Sequence, residues 1–374
     1  MNYLGFVIAR ERLRKNWSQE GLCKGICTVS YLSKIESGKA RPSDQVLGLL
    51  LERLALKHDA QIEAEAEALV RQGFELLFTL RLDRLQALLE NCGLPRFRAA
   101  EAGLALETLY AAQITHEPLD AALEPLMDAR SLALQRILQA RAGEALLLCP
   151  NAYTHLMAGI QAYEGGNFSQ AIDVLQTAYE MAAREGAVRL MLECKLFIGN
   201  SYCNQQDLPN MERHYQAARR LAEDLMDQRS QYAIDYNMAS VWIEVGRYAD
   251  AYAWFSRQEA LGLMALHKLA ICCEKLGKRS EGLSALDRAE ALETDEMEQS
   301  LARQICALVR YRLEHADYLE QEAYGELLLA CFARCRAELA AGYAVFHLPW
   351  VLEWYKATRQ YKPACELLEN FPGK

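Results

Sequence analysis

The feature that most restricts the fold of this chain is a pattern that repeats along its second half. In Gly159-x6-Gly166-Asn-Phe168-x2-Ala171-x3-Leu175-x2-Ala178 a small residue precedes a glycine turn, and an aromatic and an alanine open the next segment. The pattern returns at Ala239, Gly246, Tyr248, Ala251 and Phe255, and again at Ala270, Gly277, Leu286 and Ala289. A weaker copy runs through Gly199, Tyr202, Tyr215 and Ala218, and another through Tyr361, Ala364, Leu368 and Phe371. Fainter copies fit near residues 75, 110 and 311, and matched positions are mostly 31 to 49 residues apart. Small residues let two helices approach closely, while the aromatic and the leucine fill the space between successive pairs. Each unit is thus a helical hairpin that buries its apolar face only by stacking on its neighbours.

Composition agrees. Leu, Ala, Glu and Arg dominate, Pro is scarce at 9 residues, and alternating Val/Ile/Thr runs are absent. That balance reads as all-α. With 374 residues the chain exceeds one ordinary core, so a small domain joined to an extended array is expected. No N-terminal apolar stretch precedes a small-residue cleavage site, and no uncharged apolar run reaches about 18 residues. A cytoplasmic protein with no membrane contact is expected, its 12 cysteines reduced. Cys23 and Cys27 have no second pair or histidine nearby, so neither a metal nor another cofactor is expected.

Charge divides the chain. Residues 1–57 hold ten Lys/Arg against five Asp/Glu, which leaves 31 against 45 over residues 58–374. Binding a duplex requires cations that displace condensed counterions, and only the first segment supplies an excess of them.

Within that segment Leu4, Val7, Ile8 and Leu13 form the apolar stripe of a first helix, which Asn16-Trp17 breaks. Ser18 is placed to cap a second helix ending near Lys24, with Gly25 and Ile26-Cys27 as the turn. Thr28 caps a third, VSYLSKIESG, that turns Leu32 and Ile35 inward and stops at Gly38. Ser43 caps a fourth carrying Val46, Leu47, Leu50, Leu51 and Leu54. Leu22 and Ile26 complete the expected core, and Glu36 is expected to pair with an arginine of the first helix. Two short helices joined by a tight turn in a basic unit make a helix-turn-helix.

The run SQEGLCKGICTVSYLSKIESGKARPS resembles the phage-repressor-like, XRE-type helix-turn-helix family across nearly all of residues 4–56. The resemblance implies that the third helix enters the major groove of double-stranded DNA. Thr28, Val29, Ser30, Tyr31, Ser33, Lys34 and Lys39 would then face bases and phosphates, with Gln19 on the backbone.

The repeats resemble the tetratricopeptide motif, a two-helix unit of 34 residues, although their lengths vary. The implied fold is all-α: an N-terminal helix-turn-helix domain followed by a right-handed helical-hairpin, tetratricopeptide-like solenoid. Such arrays form a concave groove lined by first helices, in which side-chain amides hold an extended peptide backbone. The candidates are Tyr163, Asn200, Asn204, Tyr236, Asn237, His267 and Arg312. Asn200 and Asn237 also suit packing alone, as do the tyrosines.

The combination resembles the RRNPP-type peptide-responsive quorum-sensing regulators of Gram-positive bacteria and their phages. It implies a homodimer on a pseudo-palindromic operator, with a short signalling peptide bound by the repeats. The domains are expected at 1–57, the helix-turn-helix; 58–72, a linker helix; and 73–374, the repeats for effector binding and dimerisation. Phe346, Trp350, Trp354, Tyr355 and Tyr361 suit either a dimer surface or the end of the array. Two alternatives stay open: a protein partner docking on the groove, or a repeat domain that only dimerises. An enzyme is not expected. P-loop, G-x-S-x-G and HExxH motifs are absent, and His116, His155, His214 and His315 are scattered.

Overall fold

The computed structural model describes residues 3–292, 296–339 and 341–371, the side chains of 296–299 and 341–342 excepted. Among the described residues helices alternate with turns and no strand occurs. They form two compact units, Met1–Ala158 with Thr177–Met191, and Gly159–Gln176 with Leu192–Lys374.

The first unit begins with α1 (Tyr3–Arg14), α2 (Gln19–Cys23), α3 (Val29–Glu36) and α4 (Asp44–Arg53). Three side-chain caps set the helix starts: Ser18, Thr28 and Ser43 accept from the backbone N–H groups of Gly21, Tyr31 and Val46. Ile8, Leu22, Leu32, Ile35, Leu50, Leu51 and Leu54 close a shared core, with Leu4 and Ile26 packed at its edge. Leu13 departs from the expected stripe. It is 61% exposed, because the buried face of α1 runs through Val7, Ile8, Glu11 and Arg12 instead. Arg12 is buried because Glu36 answers it at 2.7 Å.

The segment read as a linker helix is the start of α5 (Ala60–Phe78), which buries Ile62, Ala66, Val70, Phe74 and Leu77 along one side. α6 (Leu82–Asn91), α7 (Gly103–Tyr110), α8 (Ala129–Leu138) and α9 (Ala142–Leu148) follow. Both terminal nitrogens of Arg10 on α1 bond to the Glu107 carboxylate on α7 at 2.8 Å, and Tyr3 donates to the Arg98 carbonyl at 3.1 Å. The basic head is therefore fixed to the helices after it within this unit. The bidentate, half-buried pair is the stronger kind of ion pair.

The second unit takes in parts of α10 (Ala152–Glu164), α11 (Phe168–Glu185) and α12 (Val188–Asn204). It continues through α13 (Leu208–Asp224), α14 (Gln228–Glu244), α15 (Tyr248–Phe255), α16 (Leu263–Lys275) and α17 (Arg279–Glu290). α18 (Glu296–Glu314), α19 (Glu322–Glu338), α20 (Ala341–Ala357) and α21 (Tyr361–Glu369) complete it.

One rule sets its geometry. A small residue on the first helix of each hairpin precedes by 16 positions the large residue that it accommodates: Gly159 and Leu175, Gly199 and Tyr215, Ala239 and Phe255, Ala270 and Leu286. A methyl group on Gly159 would lie 2.5 Å from Leu175 Cγ, so nothing larger than hydrogen fits. Seven positions after each small residue the chain turns through the left-handed region, at Gly166, Gln206, Gly246 and Gly277. In each turn the next amide reaches back to a carbonyl five residues earlier, as in Asn167 to Ala162 and Asp207 to Tyr202. Gln206 stands where the other copies have glycine, which is why that copy is the weaker one in sequence.

The end of the chain differs from the repeat expectation. α21 buries no residue and Tyr361 is 61% exposed. Trp350 and Trp354, weighed as dimer-surface residues, lie inside the fold: Trp354 packs over Gly325, and Trp350 joins the cores of α16 and α19. The twelve cysteines are free thiols.

Candidate functional site

The third helix shows two faces. Leu32 and Ile35 are buried, while Val29, Ser30, Ser33, Lys34 and Ser37 are exposed along the other side. Thr28 is exposed at its start with its hydroxyl engaged as the cap, and Lys39 is exposed just beyond its end. Val29 is 42% exposed, a large apolar residue left in solvent on an otherwise polar face. Tyr31 is only half-exposed and donates to the Arg41 carbonyl at 3.3 Å, so packing and tethering occupy it.

Gln19 is less available than the sequence implied. Its amide donates to Glu36 at 2.7 Å, and the same carboxylate holds Arg12. The ion pair expected of Glu36 is present, and Gln19 joins it because the start of α2 lies against the end of α3. Several of the basic residues counted in residues 1–57 are used internally: Arg10 and Arg12 as above, Arg14 on Glu11, and Arg53 on the carbonyls that end α2. Lys34, Lys39 and Arg41 are exposed.

In the second unit six of the seven groove candidates meet. Tyr163, Asn200, Asn204, Tyr236, Asn237 and His267 line one recess of 240 Å³. Asn200 and Asn237 belong to successive first helices, α12 and α14. Asn237 Nδ2 donates to Asn200 Oδ1 at 3.0 Å, and Tyr215 donates to the same oxygen at 2.5 Å. Asn204 Nδ2 donates to the Asn200 carbonyl at 2.8 Å and faces the Tyr163 hydroxyl at 3.5 Å. The two amides are thereby held in fixed orientations, and these bonds use neither the Asn200 amide nitrogen nor the Asn237 amide oxygen, a donor and an acceptor of the kinds that a peptide unit complements. Burial raises the Tyr163 and Tyr236 phenols to about 12, so both stay protonated.

Arg312 is not in the groove. Its side chain is 0% exposed, bonded to Glu274 at 3.1 Å and Tyr324 at 3.3 Å, and stacked on Tyr318 and Trp350. The apolar periodicity of α18 turns it inward, where Glu274 makes its burial tolerable.

Sequence reading missed Lys268, Glu244, Ser240, Tyr343 and His347, which also line the recess, as does Phe346. A signal for Lys268 exists: it stands two positions before Ala270, as Asn237 stands two before Ala239. Tyr343, Phe346 and His347 come from α20, outside any clear repeat copy, and no local pattern announces them. A wider chamber of 820 Å³ adjoins, sharing Tyr236, Asn237, Met264 and Tyr343 with the recess and walled by Tyr232, Leu301, Ile305 and Leu339. That volume suits a small-molecule or short-peptide ligand. Among the described residues no cluster suits a metal ion, and no helix is long and apolar enough to cross a membrane.

Residues 8–60 match the family model described as Helix-turn-helix. The head is a helix-turn-helix domain. No curated protein matches the chain in sequence. Among solved structures, a Rap protein complexed with competence and sporulation factor is similar at 15% identity, covering 82% of this chain and 97% of that one, with a TM-score of 0.60. ComR from S. thermophilus, in complex with DNA and its signalling peptide, aligns at 17% identity over 62% of this chain and 97% of its own, with a TM-score of 0.35. PlcR from Bacillus thuringiensis, in complex with a peptide and DNA, aligns at 15% identity over 77% and 93%, with a TM-score of 0.27. The likeness to the Rap structure is one of fold. It agrees with the all-α helical array, and the helix-turn-helix domain precedes that array's repeats.

Proposed function

We propose that the protein is a transcription regulator that binds double-stranded DNA through its helix-turn-helix domain and a short peptide through the groove of its second unit. The fixed Asn200–Asn237 pair carries this reading: a pre-oriented donor and acceptor serve any extended backbone, whatever its sequence. The concave apolar chamber beside the pair favours a peptide over a folded partner docking on an open face. The Rap relative, solved with competence and sporulation factor, supports the same use of the fold.

On DNA, Ser30, Ser33 and Lys34 face base edges and phosphates, Val29 packs on a thymine methyl, and Lys39 holds the backbone. Gln19 acts mainly by positioning Glu36 and Arg12. One such domain reads few bases. A homodimer on a pseudo-palindromic operator reads two half-sites, and a ligand that changes their separation changes DNA affinity by linkage.

The test is selection from a random duplex pool by the full-length protein at moderate salt. The expected product is an enriched two-fold site, bound about ten- to a hundredfold more weakly by Lys34→Ala. A protein that enriches no duplex ends the reading.

A further inference from the structure

The groove contains a cation that the fold itself does not neutralise by a bond. Lys268 Nζ donates to Ser240 Oγ at 2.6 Å and lies 4.3 Å from the Tyr236 ring centre and 5.5 Å from that of Phe346. Aromatic faces and a hydroxyl attract an ammonium without cancelling its charge.

Two histidines line the same recess. His267 is 0% and His347 1% exposed. His347 Nδ1 is bonded to the Tyr343 carbonyl at 2.8 Å, and its Nε2 has no protein partner. Neither ring nitrogen of His267 has one. Burying such groups unpaired costs about 1–3 kcal/mol each, and a partner that enters the recess and bonds them relieves that cost.

The charge states select the partner. Burial lowers the Lys268 ammonium to about 8, so it remains mostly charged near neutrality. Burial also holds His347 near 4 and His267 well below its ordinary value, so both rings are neutral and each keeps one N–H. Among the described residues the recess has one carboxylate, Glu244. It is exposed; desolvation raises it to about 7 while attraction from Lys268 opposes that rise, so it is a partial counter-charge that an entering carboxylate displaces. The His347 N–H is spent on the Tyr343 carbonyl, which leaves its Nε2 an acceptor; one cation and the His267 N–H make a place for an anion of carboxylate size. The recess shares Tyr236, Asn237, Met264 and Tyr343 with the apolar chamber beside it.

We propose that the peptide lies in one direction along the groove, with a carboxylate on Lys268 beside the His267 N–H and large apolar side chains in the chamber. This rests on the peptide reading above and adds polarity and composition to it. The carboxylate comes either from the C-terminus or from an Asp or Glu side chain.

Affinity selection with three synthetic pools of random heptapeptides separates these sources: free-acid peptides lacking Asp and Glu, C-terminally amidated peptides lacking both, and amidated peptides carrying one acidic residue. The full-length protein is expected to retain the first or third pool at least about tenfold over the second, with aromatic and long aliphatic residues enriched. Enrichment of the first assigns the C-terminus, and of the third the side chain. Lys268→Met should erase the preference while still retaining apolar peptides. Equal retention of all three pools by the parent overturns the carboxylate assignment and leaves the peptide reading standing, and this comparison needs no variant. An unchanged preference in a folded Lys268→Met protein overturns the role of Lys268. Retention of none of the pools overturns the peptide reading and this inference with it.

Discussion

Arg312 and Lys268 are both cations set among aromatic rings in the second unit, and their surroundings differ in one respect. Arg312 is enclosed completely and closed by Glu274 and Tyr324. Lys268 has a serine hydroxyl and ring faces as its close partners, beside the His267 ring, whose two nitrogens have no hydrogen-bond partner. A buried charge that the fold neutralises belongs to the framework. One that the fold leaves open belongs to whatever enters. The same division separates Gln19, spent on Glu36, from Asn200 and Asn237, whose mutual bond uses neither the Asn200 nitrogen nor the Asn237 oxygen.

The largest expected effect breaks the framework side. Arg312→Met leaves Glu274 with only the partly exposed Lys275, at 3.4 Å, and removes the bond to Tyr324. Losing one partner of a buried pair costs about 3–5 kcal/mol, which should appear as a much lower urea midpoint of helicity. Lys268→Met strands no bonded carboxylate and is expected to shift that midpoint little. Equal losses in the two variants would remove the distinction drawn between the cations.

Next comes the groove itself. Asn200→Ala with Asn237→Ala removes the donor and the acceptor together, and peptide retention should fall by roughly 30- to 150-fold, each lost bond being worth about 1–1.5 kcal/mol. Helicity and the duplex selected should be unchanged. A double variant that retains peptides normally places the binding surface elsewhere in the unit.

The sequence carried much of this, for local reasons. Ser18, Thr28 and Ser43 cap α2, α3 and α4 because capping depends on a few adjacent residues, and all three were legible. The hairpins were legible because a small residue, a left-handed turn and a large residue recur at constant spacing. Asn200 and Asn237 could be placed on neighbouring first helices for the same reason. Burial of a single long side chain was not legible: Arg312 reads as an ordinary polar residue of α18 until Glu274, 38 positions earlier, is set against it. Leu13 fails in the opposite sense, since Arg12 takes the inward position only by virtue of Glu36 on another helix. The α20 contribution to the recess depends wholly on tertiary placement.

A smaller framework effect tests the rule that builds the groove. Gly159→Ala forces a methyl group into Leu175, and such overpacking costs about 1–3 kcal/mol. The pool preference set by Lys268 should survive it. A melting temperature equal to the parent's would show that the spacing of 16 between small and large residue does not govern helix approach.

The smallest change should be a gain. Gln206 has φ 61°, in the turn position that Gly166, Gly246 and Gly277 fill in the other copies. A side chain in that region costs about 1–2 kcal/mol, and glycine returns part of the relief through its larger unfolded-state entropy. Gln206→Gly should therefore stabilise the second unit by about 0.5–1 kcal/mol. Gln205 Nε2, which bonds to Ser169 at 2.9 Å, is a neighbour that the change leaves in place. Because Gln206 lines neither the recess nor the chamber, peptide retention should not change with the gain in stability. A stabilised variant that also loses its preference for acidic peptides would mean that the weak copy is strained for the sake of the groove, and the line between framework and site would have to be redrawn through that turn.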